Sequence, residues 1–273
     1  VMDDEGFYRF SIKFISRTNG TNLVDKMSYN NRSNLTDRNT GKKHYHRSRG
    51  STQYSELMIP ENAPLGFKEK INCPEALASE IEKCERRRDA QLMQEGVLAV
   101  PSELEPPQQI ELVRSYVDKL WVSKGRVAQI DIHPPPPGGD PRQVHAHILL
   151  SLRHIKDGSD SFGLKNREWT YQKGRSLVKE WREEWANAVN AAYERYGYQI
   201  RVDHRSLKDR GIERAPQRPK GQARANIERR GMKLKENTLH QDLDDSRNIK
   251  KCETSPEFED RIFMDYLAKR KTR

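Results

Sequence analysis

The chain has 273 residues, of which 33% are charged and 34% are hydrophobic, and its mean hydropathy is −1.01. No run approaches the roughly 18 apolar residues of a membrane span, so the sequence excludes a bundle of membrane helices. The acidic first residues lack the basic start and apolar run of a secretory signal. Three cysteines without a CxxC spacing are typical of free thiols in a reducing cytosol.

The net charge of +10 is unevenly distributed along the chain. Residues 1–200 carry 30 basic and 27 acidic side chains, whereas residues 201–273 carry 20 and 13. A basic surface favours a polyanionic partner, nucleic acid above all, because neutralised phosphates release their counterions. The net charge by itself is explained equally well by a solvated surface that binds no polyanion.

The hydrophobic pattern predicts an irregular mixture of strands and helices, which favours an α+β fold with a mainly antiparallel sheet. Four consecutive prolines predict an exposed loop over 134–141, and 214–252 contain few large hydrophobic residues, which indicates an extended segment. In chain order the predicted elements are a strand over 7–15, a helix over 23–30, a polar loop over 30–50, a strand over 54–59, a helix from Pro74, a strand ending at 98–100, a helix over 106–124, strands over 127–133 and 144–152, and helices over 175–196 and 255–269.

Histidines concentrate on two of the predicted strands. In the strand over 144–152 the even-numbered residues are apolar, so His145 and His147 share the opposite face. They are separated by two residues, or about 6.5–7 Å along the strand, and can converge on one ion. His133 ends the preceding strand and completes a three-histidine site if the two strands pair.

Three imidazoles on a rigid sheet leave coordination positions open, as a catalytic metal site requires. Imidazole binds Zn, Ni, Co and Mn better than Mg. The alternative is that these histidines only occupy a polar sheet face without a metal. A second pair, His44 and His46, lies in a Lys/Arg-rich loop whose positive charge disfavours a second cation, so we interpret it as facing DNA.

Tyrosine is the candidate nucleophile, because no cysteine is close to a histidine in sequence and no G-x-S-x-G motif is present. Tyr29 lies on the first short helix among polar neighbours. A phenol is a weak nucleophile at its ordinary pKa of about 10 and needs a polarised phosphate or a nearby base. Spacing alone does not choose Tyr29 over Tyr8, Tyr45 or Tyr54.

Seven stretches in order resemble the MobA/MobL relaxases of mobilisable plasmids, which belong to the HUH endonuclease superfamily. The resemblance covers roughly residues 7–212. The stretches are FSIKFISRTNG (10–20), MSYNNR (27–32), YSELMIPENAP (54–64), ERRRDAQ (85–91), His133 with HAHILL (145–150), KEWREEWA (179–186), and VDHRSL with GIE (202–207 and 211–213). One departure is Val144, where the family usually has proline before His-Ala-His.

The resemblance implies a ferredoxin-like HUH relaxase domain over 7–212. The residue pattern predicts that a basic, partly extended segment over 213–273 follows it and ends in a helix. The implied activity is nicking of single-stranded DNA at a plasmid origin of transfer. A tyrosine attacks the phosphate, leaving a 5′-phosphotyrosine and a free 3′-hydroxyl, and later religates the strand. The implied cofactor is a divalent metal, Mn or Mg first, with Zn, Ni or Co as alternatives.

The resemblance also assigns residues and partners. It matches Tyr29 to the nucleophile and the set His133, His145 and His147 to the metal ligands. Glu56 falls on a neighbouring predicted strand and is a candidate to orient a ligating histidine through its second nitrogen. The candidate DNA-binding residues are Lys42, Lys43, Arg47, Arg49, His204 and Arg205. Besides origin DNA, the implied partners are accessory relaxosome and coupling proteins in the bacterial cytoplasm, with no membrane.

Two other hypotheses remain open at the level of sequence. The first is a replication initiator or transposase of the HUH superfamily, with the same chemistry on another origin. The second is a non-enzymatic basic module that binds nucleic acid and whose histidines are structural. Metal content and a covalent protein–DNA adduct distinguish the second hypothesis from a relaxase.

Overall fold

The computed structural model describes residues 6–19, 22–46, 50, 52–135, 140–169 and 174–213. The predicted helix over 255–269 and nearly all of the segment over 213–273 lie outside these residues. The described strands are β1 (Phe10–Ser16), β2 (Leu35–Thr36), β3 (Lys43–His44), β4 (Tyr54–Met58), β5 (Gln91–Ala99), β6 (Ala128–His133), β7 (His145–Ser151), β8 (Arg153–Ile155) and β9 (Phe162–Lys165). The helices are α1 (Leu23–Asn31), α2 (Leu65–Lys70), α3 (Pro74–Cys84), α4 (Pro106–Val117) and α5 (Gly174–Arg195).

Five of these strands form one sheet in the order β1-β5-β7-β6-β4, and every neighbouring pair is antiparallel. The central strand β7 therefore has a partner along both edges. The helices pack on both faces of the sheet. This arrangement confirms the predicted α+β class with an antiparallel sheet.

The two faces of the sheet bury two separate hydrophobic clusters, because successive side chains of a strand alternate between faces. On one face, Ile148 and Ile130 pack with α4 and α5. On the other face, Leu149 packs with α1, α2 and α3. His145 and His147 alternate with the residues of the first cluster and therefore share the second face with Leu149.

The N-terminal cap of α1 is Asn22. Asn22 accepts a hydrogen bond from the Asp25 amide at 3.1 Å through its side chain, which satisfies one of the free N–H groups of the first turn. The helix stops at Arg32, whose backbone adopts the left-handed conformation at φ 56° and ψ 27°. Arg32 is the one non-glycine residue with positive φ in the part of the chain that the structure describes.

Four features differ from the sequence prediction. The polar loop over 30–50 contains the short hairpin of β2 and β3, and the helix α2 and the hairpin of β8 and β9 were not predicted. Strands of two to four residues complete no hydrophobic period, so their sequence pattern is too short to detect. The predicted helix over 106–124 exists but changes to π-helical hydrogen bonding over Asp118–Val122.

The chain divides into two compact units, Val1–His204 and Arg205–Arg273. The described part of the second unit, residues 205–213, consists of turns. None of the helices among the described residues combines the length and apolar character that crossing a membrane requires.

Trp185 of α5 provides a test of the hydrophobic cluster that packs under α4 and α5. Its side chain is fully buried, and its ring centroid lies 4.9 Å from that of Tyr116. We expect Trp185→Ala to lower the free energy of unfolding by about 3–5 kcal/mol, because it removes a large buried side chain and leaves a cavity. Chemical denaturation measures the loss. Leu164→Ala, at a residue that is 87% exposed, is the control and should change the free energy by less than about 0.5 kcal/mol.

Candidate active site

The three predicted histidines converge on one face of the sheet. β6 and β7 pair antiparallel with His133 directly opposite His145, and His147 lies two residues further along β7. The ring centroids are 5.0–5.2 Å apart, and one nitrogen from each ring lies within 4.8 Å of the others. His133 is buried, whereas His145 and His147 are half-buried. This cluster, called the histidine triad below, therefore opens on one side.

Each ring of the triad uses one nitrogen as a hydrogen-bond donor. His133 donates through Nε2 to the carbonyl of Asn30, and His145 donates through Nδ1 to the carbonyl of Gln143 at 2.8 Å. His147 donates through Nδ1 to the carboxylate of Glu95 at 2.8 Å. A neutral imidazole with one N–H has a lone pair on its other nitrogen. The triad thus offers three lone pairs.

The triad fits a divalent metal ion. Nδ1 of His133 is buried and has no hydrogen-bond partner among the described residues, which is costly unless a ligand occupies it. Burial is the main cause that lowers the pKa of His133, to about 3. The hydrogen bond to Asn30 opposes this effect, whereas the charges of His147 and Arg32 reinforce it. Burial also lowers the pKa of His145. Both rings are therefore neutral at pH 7, which is the form that binds metal.

A buried carboxylate on β5 orients the triad. The side chain of Glu95 is fully buried and contacts Lys26 at 2.8 Å, Lys13 at 3.0 Å and the side-chain amide of Asn30 at 3.3 Å, besides His147. Burial alone raises the pKa of Glu95, but the hydrogen bond from His147 and the charge of Lys26 outweigh it and hold the pKa well below its usual value. Glu95 is consequently an ionised acceptor that fixes the His147 tautomer.

The structure corrects the predicted role of Glu56. Glu56 pairs with Ile130 and so points to the face opposite the triad. Its carboxylate accepts hydrogen bonds from Arg114 of α4 at 2.6 and 3.0 Å and from Tyr54 at 2.6 Å. Sequence reasoning assigned the carboxylate to the wrong strand, because only the end of β5 was predicted. The available signal for Glu95 was an acidic residue inside a strand that is otherwise uncharged.

A second acidic residue, Asp131, was also missed. It lies two residues before His133 on the same face, opposite His147, and is fully buried. Burial raises its pKa to about 7, although Ser55 and Gln129 donate hydrogen bonds to it at 2.7 and 3.0 Å. The sequence offered a signal here too, since Asp131 is an acidic residue between two isoleucines of a predicted strand.

Tyr29 lies on the last turn of α1, the part of the helix that contacts the triad. Its neighbour Asn30 provides both the carbonyl that binds His133 and an amide that binds Glu95. The Tyr29 ring has the guanidinium of Arg32 at 4.7 Å and the ammonium of Lys26 at 5.1 Å from its centroid. Tyr29 thus directly precedes the residue that contacts the triad, and two cations lie near its ring.

The other histidine pair does not face outward as interpreted. His44 is buried, and Nδ1 of His44 and Nε2 of His46 both lie 2.9 Å from the same Asp25 oxygen. Burial raises the pKa of Asp25, but these two hydrogen bonds bring it below its usual value. The His46 ring also packs edge-on against Tyr29 at 5.6 Å. This pair joins the hairpin of β2 and β3 to α1 beside the tyrosine.

The candidate DNA-binding residues fall into separate groups. Lys42 and Lys43 are exposed on the hairpin that His44 anchors to α1, so both can meet a ligand there. His204 is half-buried, and its carbonyl accepts a hydrogen bond from Arg182 at 3.3 Å. Arg205 is exposed and belongs to the second unit. Arg47 and Arg49 lie outside the described residues.

The site thus combines an antiparallel sheet, a histidine triad on its inner strands and a tyrosine on the helix that contacts the triad. The MobA/MobL profile matches residues 22–230, and the chain belongs to the MobA/MobL family. MobL of Acidithiobacillus ferridurans, a mobilization protein, is 32% identical over an alignment of 248 residues, and the match covers 82% of this chain. A probable conjugal transfer protein, TraA of Sinorhizobium fredii, is 27% identical over 81% of this chain.

A solved structure described as the molecular basis of vancomycin resistance transfer in Staphylococcus aureus shares the fold. It has a TM-score of 0.64 and 27% identity, and the match covers 74% of this chain and all of the other. The chain spans only part of its curated relatives, 64% of MobL and 22% of TraA. The comparisons establish the family and the fold.

The Glu95 contact with His147 generates a test of metal binding. We expect Glu95→Gln to weaken Mn²⁺ binding about 10–100-fold, because the ligating histidine loses its charged acceptor. Isothermal titration calorimetry measures the affinity, and circular dichroism verifies the fold. Glu56→Gln is the matched control on the opposite face and should leave the affinity unchanged. An equal effect of both substitutions would contradict the assignment of Glu95.

Proposed function

We propose that this chain is the DNA-nicking domain of a plasmid mobilisation relaxase. In this proposal Tyr29 is the nucleophile, the histidine triad holds a divalent metal, and the substrate is single-stranded DNA at an origin of transfer. The observation that carries the proposal is the contact between the last turn of α1 and the triad. It brings the segment that bears Tyr29 to the site where a metal would hold a phosphate.

The comparisons support the same class of reaction. The family match covers residues 22–230, which include Tyr29 and all three histidines. Relatives named mobilization and conjugal transfer proteins match most of this chain, although each is longer. A replication initiator or transposase has less support, since none of these relatives carries such a name. Accessory relaxosome and coupling proteins remain predicted partners.

The proposed reaction is a transesterification in which bonds and charges balance. The Tyr29 oxygen forms a bond to phosphorus, and the bond between phosphorus and the 3′ oxygen breaks. The 5′ end remains on the protein as a phosphotyrosine, and the phenolic proton ends, through solvent, on the departing 3′ oxygen. Because one phosphodiester replaces another, the strand can be rejoined by the reverse reaction.

The residues of this chain contribute position and charge. A metal bound to the triad would polarise the scissile phosphate as a Lewis acid. Imidazole ligands favour Mn over Mg in affinity. Glu95 and the carbonyls of Asn30 and Gln143 hold the three rings in their tautomers. The exposed Lys42 and Lys43 are positioned to bind the phosphates of an approaching strand.

The nucleophile is tested by replacing a single oxygen atom. We expect Tyr29→Phe to abolish the covalent protein–DNA adduct while oligonucleotide binding is retained, because the ring remains and only the attacking hydroxyl is lost. The substrates are single-stranded oligonucleotides tiled across the DNA that flanks the coding sequence, incubated with Mn²⁺ and resolved on a denaturing gel. Tyr54→Phe, whose hydroxyl donates to Glu56 on the other face, is the control and should still form the adduct. An adduct that survives in Tyr29→Phe identifies another nucleophile.

Removal of the metal provides an independent test. Dialysis against EDTA should abolish adduct formation and leave most of the DNA affinity, since the basic groups that bind phosphates remain. Adding Mn²⁺ back should restore the adduct, which gel shift and denaturing electrophoresis measure in parallel. Adduct formation that persists without metal would overturn the role of the triad, and DNA binding with no adduct under any condition would favour a non-enzymatic module.

A further inference from the structure

Arg32 combines an unusual backbone conformation with a charge that has no ionic partner among the described residues. It follows α1 in the left-handed conformation, which a side chain with a Cβ atom disfavours and glycine adopts freely. Helices commonly place glycine at such a position. An arginine there is a local cost that calls for a compensating contact.

The guanidinium of Arg32 lies against the nucleophile proposed above. Its central carbon is 4.7 Å from the centroid of the Tyr29 ring, the distance of a cation–π contact. Arg32 also follows Asn30 by two residues, and the carbonyl of Asn30 accepts the hydrogen bond from His133 of the triad. The guanidinium of Arg32 therefore lies against the proposed nucleophile, on the segment of the chain that contacts the triad.

The hydrogen-bonding capacity of Arg32 is not fully used by the protein. Nη1 of Arg32 is buried and has no hydrogen-bond partner in the part of the chain that the structure describes, and none of the ion pairs found there includes Arg32. The other cation near the ring, Lys26, differs because Glu95 neutralises it at 2.8 Å. Arg32 is consequently a cation of this site that is available to an anion.

We propose that Arg32 binds a non-bridging oxygen of the scissile phosphodiester, so that it is a further catalytic residue of the reaction proposed above, on which this inference rests. A guanidinium presents a fixed fork of N–H donors that matches the two non-bridging oxygens of a phosphodiester. Its stacking on Tyr29 fixes the phosphate beside the phenolic oxygen. As that oxygen bonds to phosphorus and the 3′ oxygen leaves, Arg32 stabilises the charge on the non-bridging oxygens.

This role explains why an arginine occupies a glycine-like position. The left-handed backbone turns the chain immediately after the helix, so the side chain of Arg32 reaches back over the ring of Tyr29, three residues earlier. An exposed lysine such as Lys42 attracts any phosphate of the strand. Arg32 is half-buried with a buried Nη1, so only a phosphate that enters the site can reach it.

The first arm of the test measures phosphodiester binding without cleavage. Dimethyl phosphate is the probe, titrated with and without Mn²⁺ and followed by ³¹P NMR line width. We expect Arg32→Gly to weaken its binding at least 5-fold, and Arg195→Gln, at an exposed arginine paired with Glu111, to bind it as the wild-type protein does. Wild-type protein that does not bind dimethyl phosphate, or equal binding by Arg32→Gly, overturns the inference.

The second arm measures adduct formation on the oligonucleotide found for the wild-type protein. Arg32→Gly should slow the reaction roughly 10²–10³-fold, as loss of a donor to a developing charge does. Arg32→Lys should restore only part of the rate, because it retains the charge without the fork. Arg195→Gln, on a 64% exposed side chain paired with Glu111, is the control and should react normally. An unchanged rate in Arg32→Gly overturns the inference and leaves the relaxase proposal standing.

Stability separates this role from a structural one. Arg32→Gly should have a Tm at or above that of the wild-type protein, since glycine accepts the left-handed backbone. Arg32→Asn, with the next most tolerant residue, provides a second folded variant. If dimethyl phosphate binding depends on Arg32 but no flanking DNA gives an adduct with wild-type protein, the relaxase proposal fails while the phosphate site stands. If both variants have a lower Tm, and loss of folded protein accounts for their weaker binding of dimethyl phosphate, the inference is overturned.

Discussion

The antiparallel register between β6 and β7 is the constraint on which the site depends. It sets His133 directly opposite His145, and the alternation of side chains then brings His147 to the same face. A slip of one residue would send every side chain of a strand to the other face, where Ile130 and Ile148 pack under α4 and α5. The large hydrophobic cluster on that face thus specifies the register, and the histidine triad follows from it.

A buried charge network then joins the triad to the helix that bears Tyr29. The carboxylate of Glu95 on β5 contacts His147 on β7, Lys13 on β1 and both Lys26 and Asn30 on α1. A buried charge is tolerated only when it is paired and hydrogen-bonded, so these elements must assemble together. The network adds specificity of arrangement where hydrophobic packing alone would allow α1 to shift along the sheet.

The sequence predicted the long elements and the triad but not the details of its surroundings. Strict alternation in β7 placed His145 and His147 correctly. Glu56 was assigned wrongly, because the strand order β1-β5-β7-β6-β4 is a long-range property that no local pattern contains. The contacts of Asp25 with His44 and His46 are likewise absent from any local pattern. The importance of Arg32 rests on its left-handed backbone and on Nη1, which has no hydrogen-bond partner among the described residues. The sequence did contain signals for Glu95 and Asp131, since each is the one acidic residue of its strand.

The carbonyl of Asn30 has a consequence for the coordination chemistry of the triad. Because it accepts the Nε2 proton of His133, that ring presents Nδ1, whereas His145 and His147 donate through Nδ1 and present Nε2. The donor set is therefore chemically asymmetric, with one ring turned end for end relative to the others. Fraying of the last turn of α1 would release that proton and permit the His133 tautomer to exchange. The order of a single helical turn thereby determines which nitrogen of His133 keeps its lone pair.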